Sequence, residues 1–500
     1  MKEDCIIIGG GIGGLFTGAL LSLNGVQVTV FEKNDIIGGG LQCFSRKGKS
    51  FETGMHIMGG FKEGGNLSRI CRYLGILDKL KIHHIDSDCM DEVRFENSGK
   101  TYRIASGKEN FIKRLSEYFP HEANSIRAYV EDLYSITEEL PLFYLKPVPD
   151  GPKFYSDKFL LSADQLIDHH VSDPELRDLL AYLNPLYGGV KGHTPAFIHA
   201  IINVLYIEGA SRLKGGSLQL AYALKDVIEE NGGAVLNNKE VKKIEVEADE
   251  IQAVETADGD RYSAKRYVSS IHPTALLKLL PEGVLGARYE KRLGEIPVSY
   301  SAFTLFIDFK PDGFEFIDHT CYYHDDGAGI WNVENCNNSG WPNSLLYLTP
   351  VDENQGKFAE RMLVLVMMEY DEVRKWEDSK LGNRPLEYKL WKEEKTGLIL
   401  NKLEKIYPGF KEKIENVYAA SPLTIRDFYN TKEGSLYGYR KDCENFFLSQ
   451  LTTFTKVKNL FLTGQNVYLH GICGVPMTAI CTADAIIGRN NILNQLNDEK

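Results

Sequence analysis

Five hundred residues exceed what one hydrophobic core organises, because chains beyond about 250–300 residues divide into more than one, so two domains are expected. The 57 Lys plus Arg against 69 Asp plus Glu give a net charge of −12, which excludes nucleic acid as a partner and any general attraction to anionic lipid. Nine cysteines carry no CxxC pair and no Cys/His ligand spacing, and their odd number argues against a complete disulfide framework, which fits a reducing compartment.

Met1 to Cys5 leads directly into an apolar strand without the basic segment and cleavage site of a signal peptide. No run of about 18 uncharged apolar residues follows, so the expectation is a cytoplasmic protein that at most lies on a membrane surface. Cys5-Ile6-Ile7-Ile8 reads as a strand buried on both faces, and it ends in a GxGxxG at Gly9, Gly11 and Gly14. The first glycine permits a tight turn, the second lets a pyrophosphate approach the backbone, and the third lets the next helix pack close to the strand. That helix reads Leu15 to Leu23, its amino terminus offered to phosphate, with Asn24-Gly25 as its stop. A strand over Val26–Phe31 then ends at Glu32, about 20 residues past the glycines, where an acid binds ribose hydroxyls. Glu32 and the adjoining Lys33 are cofactor-binding candidates. This unit fits the ADP half of NAD and of FAD equally, so it leaves the two open.

Further along, Asp35-Ile36-Ile37-Gly38-Gly39 is followed by Phe44, Gly48 and Phe51-Glu52-Thr53-Gly54-Met55-His56. Three more blocks stand at Gly215-Gly216-Ser217 with Leu220-Ala221, at Val241-Lys242-Lys243-Ile244, and at Thr424, Gly434 and Tyr437-Gly438. The last is Asn459-Leu460-Phe461-Leu462-Thr463-Gly464-Gln465-Asn466. Together these resemble the carotenoid desaturase and retinol saturase family of FAD enzymes, saturases first and desaturases second. The chain departs from the family pattern at Glu52 and Asn466, where Asp is usual, and at Gly40, where many relatives carry Arg. The resemblance implies FAD as cofactor, held by Gly38, Gly39, Val241, Gly464, Gln465 and Asn466 in addition to the first cradle. It also implies a long, conjugated, apolar substrate such as a polyene.

The closing block reads as a strand, a turn at Gly464, and Gly471 to Pro476 leading into a nearly uncharged helix over Met477–Ile487. An amino terminus there, with Gly474, Val475 and Met477, would direct partial positive charge at the flavin's pyrimidine edge. The expected fold is therefore α/β: a Rossmann-like FAD-binding domain with a central parallel sheet, interleaved with an α+β substrate domain holding a mixed or antiparallel sheet. Residues 1–60, 210–275 and 455–490 are assigned to the first and 61–209 and 276–454 to the second. Within them, helices are expected over Leu218–Glu230 and Pro385–Ile406, a hairpin over Val241–Tyr262, and strands at Tyr267–Ser270, Tyr300–Phe309 and Met362–Met368.

Flavin transfers a hydride at one ring nitrogen, so the chain's tasks are to hold a bond against it and to supply a proton. His56 and Tyr437 are the candidates for proton transfer, against the plainer reading that one only hydrogen-bonds backbone and the other only packs. Tyr187 to Gly192 contains no Gly-x-Gly step, so no second nicotinamide cradle is evident and an external electron donor or acceptor is expected. The aromatic stretch from Pro141 to Leu161 is read as core cover, with the mouth of a tunnel or a transient membrane contact as the alternative. His83-His84 and His169-His170 are not expected to bind metal, because adjacent side chains rarely face one ion. An amine or porphyrinogen oxidase is the runner-up activity. A lipid carrier on the same fold, as in the escort proteins for prenylated small GTPases, is the non-catalytic alternative.

Overall fold

The strand Glu3–Ile8 shows no alternation of character because it is flanked by parallel strands and covered on both faces. Ala264–Ser269 pairs along one side of it and Val28–Phe31 along the other. Leu460–Leu462 lies outside the former and Ala234–Leu236 outside the latter, which completes a five-stranded parallel sheet. The computed structural model describes residues 3–325, 330–331 and 341–498. Met1 and the ninth cysteine, Cys336, lie outside these; the other eight cysteines are free thiols.

Alternate side chains of this sheet feed two cores. Cys5, Ile7, Val28 and Val30 pack with Leu15 and Phe16 of the helix Ile12–Leu23, on the side that also carries Leu218–Glu230 and Gly471–Ile487. Ile6, Ile8 and Phe31 pack with Val241, Ile244 and Ile251 of a three-stranded antiparallel sheet built from Val241–Glu247, Glu250–Thr256 and Arg261–Tyr262.

A second, seven-stranded sheet runs in the order Ile414–Ala420, Ser301–Phe309, Arg361–Met368, Ser344–Leu348, Thr320–His324, Asp91–Phe95, Lys100–Ile104. It is mixed: the pair Thr320–His324 and Asp91–Phe95 is parallel and the other pairs are antiparallel. One face, with Phe303, Leu305 and Val364, packs on Ile399 and Leu403 of the helix Leu386–Ile406. The other, with Ala302, Phe306, Tyr322 and Leu365, joins the main core, to which the helix Ala196–Glu208 contributes Phe197, Ile198 and Ile201. The molecule is thus an α/β protein with a Rossmann-like parallel sheet and a mixed sheet facing a common interior.

The first helix begins at Ile12 rather than Leu15 and the strand before Glu32 at Val28 rather than Val26, and two readings change further. The helix expected from Met477 begins at Gly471, so Pro476 lies inside it rather than in a first turn. Burial outweighs the lost amide bond here: Cys473 through Ile480 are all buried, and packing supplies what the proline removes. The aromatic stretch divides: Leu142, Phe143 and Leu145 are core, whereas Phe154 is 89% exposed.

Candidate active site

A cavity of about 440 Å³ lies where the carboxyl ends of the parallel strands meet the second sheet, the place at which α/β sheets bind ligands. Its wall takes in Ile8-Gly9, Phe31-Glu32, Ser270-Ile271 and Gly464-Gln465, each pair at or just past the end of a strand. Glu32 is buried with both oxygens oriented: one accepts from the Gly10 amide at 2.9 Å and the other from the Asn34 amide at 2.9 Å. Burial pushes its carboxyl above the ordinary range, against the pull of those amides. Two chain-distant pieces are joined here by a 2.9 Å hydrogen bond between the hydroxyls of Thr17 and Thr463.

The cradle has room for a dinucleotide. A Cβ on Gly11 would meet only Gly39 Cα, at 3.9 Å, and would project into the cavity where a pyrophosphate approaches the backbone. A Cβ on Gly14 would sit 2.0 Å from the Gly9 carbonyl oxygen, so Gly14 serves helix–strand packing and does not line the cavity. Gly9, Gly11, Glu32, Lys33, Gly39 and Val241 line one end; Gly464, Gln465, Asn466, Gly474 and Val475 line it from the other side. Gly38 sits outside the wall at a left-handed turn (φ 104°) and donates its amide to the Gly10 carbonyl at 2.7 Å. Met477 is fully buried in the core behind it. Lys33 Nζ donates to the Asp427 carbonyl at 3.1 Å, and Asn466 Oδ1 accepts from the Tyr439 amide at 2.9 Å.

Residues 471–475, the first turn of the closing helix, form part of the wall, so its positive end faces the cavity. Beyond it the lining becomes apolar: Leu186, Ile198, Ile201, Leu205, Leu365 and Leu436 form a chamber continuous with the cradle.

His56 and Tyr437 both border this chamber. The Nδ1 of His56 is 2.8 Å from Glu52 and its Nε2 is 2.9 Å from the Gly40 carbonyl, two acceptors that are both satisfied only when both ring nitrogens donate. Burial alone would raise the Glu52 carboxyl, but the hydrogen bond and charge of His56, with Ser217 donating from both its amide and its hydroxyl, hold it below the ordinary range. A Cβ on Gly40 would enter open space, with only the Tyr429 hydroxyl reaching 4.0 Å. Tyr437 is held by a hydrogen bond from its hydroxyl to the Pro185 carbonyl at 2.9 Å, and its ring lies 5.3 Å from that of His470.

Sequence reasoning missed His470 and His272. Both are buried cavity residues whose Nε2 has no hydrogen-bond partner among the described residues, and burial lowers each to about 3, so they stay neutral. Their signal was positional: each closely follows a strand of the parallel sheet, on the side where ligands sit. Three of the four paired histidines hold structural hydrogen bonds, His83 with Asp318 at 2.5 Å, His84 with Ser211 at 2.9 Å and His170 with Asp132 at 2.7 Å.

The family model described as flavin containing amine oxidoreductase matches residues 12–487. The chain belongs to that family. It is 27% identical to the all-trans-retinol 13,14-reductase of Rattus norvegicus, over 98% of this chain and 86% of that protein. It is 23% identical to the chloroplastic prolycopene isomerase of Arabidopsis thaliana, over 97% of this chain and 82% of that one. An oxidoreductase from Methanosarcina mazei has the same fold, with a TM-score of 0.64 and 18% identity over 95% of this chain and 99% of its own. The protein is accordingly an FAD-dependent oxidoreductase, and the cradle described above fits that cofactor. No single helix among the described residues is long and apolar enough to cross a membrane.

Proposed function

We propose that this flavoprotein saturates a C–C double bond of a hydrophobic polyene, as the retinol reductases it resembles are named for doing. The observation that carries this reading is the apolar chamber of Leu186, Ile198, Ile201, Leu205 and Leu436, which opens from the cofactor cradle without a charged clamp. An amine substrate would call for an acceptor in that wall; a polyene calls for length and dryness. A carrier would have no use for Glu32 oriented by two backbone amides at the cradle's far end.

Bound FAD supplies hydride transfer. The site residues then divide the remaining tasks. Gly9, Gly11 and Glu32 hold the ADP half, Gly464 to Asn466 and the helix end at Gly474-Val475 hold the flavin half, and the packing of Gly14, Gly38 and Met477 supports both. His56, with its ring nitrogens committed to Glu52 and Gly40, fixes the loop beside the flavin and does not deliver a proton. Tyr437 orients substrate, its hydroxyl anchored on Pro185. The cofactor domain comprises residues 1–60, 210–275 and 455–490, and the substrate domain 61–209 and 276–454. Electrons come from an external donor.

A membrane surface is the proposed source of substrate. The rings of Tyr155, Phe159, Phe197 and Phe446 follow one another at 4.0, 4.5 and 5.5 Å, and exposed Phe154 and Phe447 flank this ladder. Phe197 lies in the first turn of the helix whose Ile198 and Ile201 line the chamber, so the ladder leads from the surface toward the site.

The test is anaerobic. Holoenzyme reduced with dithionite is mixed with all-trans-retinol, and flavin absorbance and product mass are followed. Reoxidation with a gain of two hydrogens is expected. A change of double-bond geometry without mass gain would replace saturation by isomerisation, and no reaction with any polyene would overturn the reading.

A further inference from the structure

The face of the seven-stranded sheet turned away from the chamber carries a group of side chains that the proposed reaction does not use. Among the described residues, two clusters bring three possible metal ligands together, Glu92–His319–Cys321 and His193–Asp442–Glu444. In the second the ligand atoms are already spent: His193 Nδ1 lies 3.0 Å from one Asp442 oxygen, and the Glu444 amide donates to the other at 2.9 Å. The first is open.

Its geometry follows from strand pairing. Thr320–His324 runs parallel to Asp91–Phe95, with Cys321 in register beside Glu92. His319 stands two residues before Cys321, the spacing that brings extended-chain side chains to one side. Cys321 belongs to the core shared with Ile399 and Leu403 of the helix Leu386–Ile406, whereas its neighbour Tyr322 joins the main core on the chamber side. One ligand atom from each of Glu92, His319 and Cys321 lies within 4.8 Å of the other two. His319 Nε2 and Glu92 Oε2 are 3.9 Å apart, too far for a hydrogen bond. Bonds of about 2.0–2.3 Å at tetrahedral angles hold the ligands of one zinc ion roughly 3.4–3.6 Å apart, so the three side chains need to close by about an ångström. The group is also graded in depth. Cys321 is buried, while the side chains of His319 and Glu92 are 22% and 24% exposed, which leaves an approach from solvent.

Ion pairing alone does not account for the set. Arg103, opposite Glu92 on the antiparallel neighbour, reaches its carboxylate at 3.5 Å, but the arginine side chain is largely exposed and such pairs hold weakly. It offers the thiol nothing. A thiol, an imidazole and a carboxylate converging on one point are the donor set of a borderline-soft divalent cation. The place has a structural use for one as well: this is the sheet's parallel pair, the less stable kind of pairing, and its two strands come from distant parts of the chain. That distance also explains why His319 and Cys321 form no ligand spacing recognisable in the sequence.

We propose that Glu92, His319 and Cys321 bind a Zn²⁺ ion that clips the two parallel strands together, with water as the fourth ligand. The ion takes the place of the thiol proton, which leaves to solvent, and thiolate and carboxylate together balance its two charges; no electron is transferred. Three protein ligands and one open position make the site exchangeable, so the stability of the sheet follows zinc supply. The ion lies across the sheet from the flavin cradle and takes no part in hydride transfer, so the inference stands apart from the polyene reading.

The test uses untagged holoenzyme freed of metal with a chelator. Titration with ZnCl₂ in a calorimeter should show one equivalent bound and a melting temperature that rises with zinc. CoCl₂ should add a thiolate-to-cobalt charge-transfer band to the difference spectrum while the flavin bands stay unchanged. Cys321→Ser should lose that band and bind zinc about 10²-fold more weakly. His319→Ala and Glu92→Gln, at half-buried positions where folding is not at stake, should each weaken zinc at least about tenfold with flavin content unchanged. His193→Ala should bind as wild type does. The proposal is overturned if no zinc binds, if cobalt binds without the thiolate band, if His319→Ala and Glu92→Gln keep wild-type affinity, or if His193→Ala is the variant that loses the ion.

Discussion

The two ends of the cavity are built by different means. The dinucleotide end is made from backbone: glycines that admit a pyrophosphate, amides that orient Glu32, and the first turn of a helix. The chamber end is made from side chains gathered from the helix Ala196–Glu208, the seven-stranded sheet and the loop at Leu436-Tyr437. A site made of backbone permits few residues at each position and so leaves a dense local motif. A site made of apolar side chains accepts many of similar volume. One end is therefore narrowly constrained in sequence, and the other tolerates substitution.

The sharpest way to break this contrast is at Gly11. Its backbone is extended, so Gly11→Val should fold with unchanged cooperativity yet purify without flavin, read by absorbance and thermal melting. Flavin retained in that variant would remove the cradle. Glu32→Arg replaces an acceptor by a donor and should weaken FAD about 10²-fold in a fluorescence titration. Tyr437→Phe tests the other end. It leaves the Pro185 carbonyl unpaired and should slow retinol reduction about tenfold while flavin binding is unchanged. Full activity would strike Tyr437 from the site.

Acid should separate the ends as well. His199, His272, His324 and His470 are each lowered to about 3 by burial, so the unfolded chain takes up protons there first. Their contribution to stability is complete above about pH 6.5 and is lost as pH falls toward 3. Asp91, raised to about 7, and Asp484, raised to about 6, act in the opposite sense between those values and 3.8. His84 and His319, also lowered, add to the histidines, and Glu32 and Glu369, also raised, add to the opposing carboxyls; the histidines still outnumber them, which predicts for metal-free protein a melting temperature that declines below pH 6.5, with a slope shallower by about one proton in His470→Gln. The smallest effect is expected at the surface: Phe154→Asp with Phe447→Asp should reduce sedimentation with neutral phosphatidylcholine vesicles without altering turnover in detergent.

What was legible in the sequence follows the same division. The glycine cradle, Glu32, and the blocks around Gly39, Val241 and Gly464 were readable because each rests on a local backbone demand. The helix Leu218–Glu230 matches its expected span, since its apolar periodicity runs its full length, with Leu220, Ala221, Leu224, Val227 and Ile228 buried. His272 and His470 were not readable, because what distinguishes them is burial among chain-distant neighbours, and no spacing records that. The start of the closing helix was misread because Pro476 marks a boundary in isolation, whereas here the surrounding core overrides it.

The hydroxyl bridge between Thr17 and Thr463 has a consequence for biosynthesis. The glycine loop leaves the ribosome well before Thr463, the end of the strand Leu460–Leu462 and the helix turn at 471–475, which emerge only after the long intervening stretch of chain. The nascent protein must keep a half-built cradle open while several hundred residues are added. Flavin capture is then a late event, and its supply decides how many finished chains close around it.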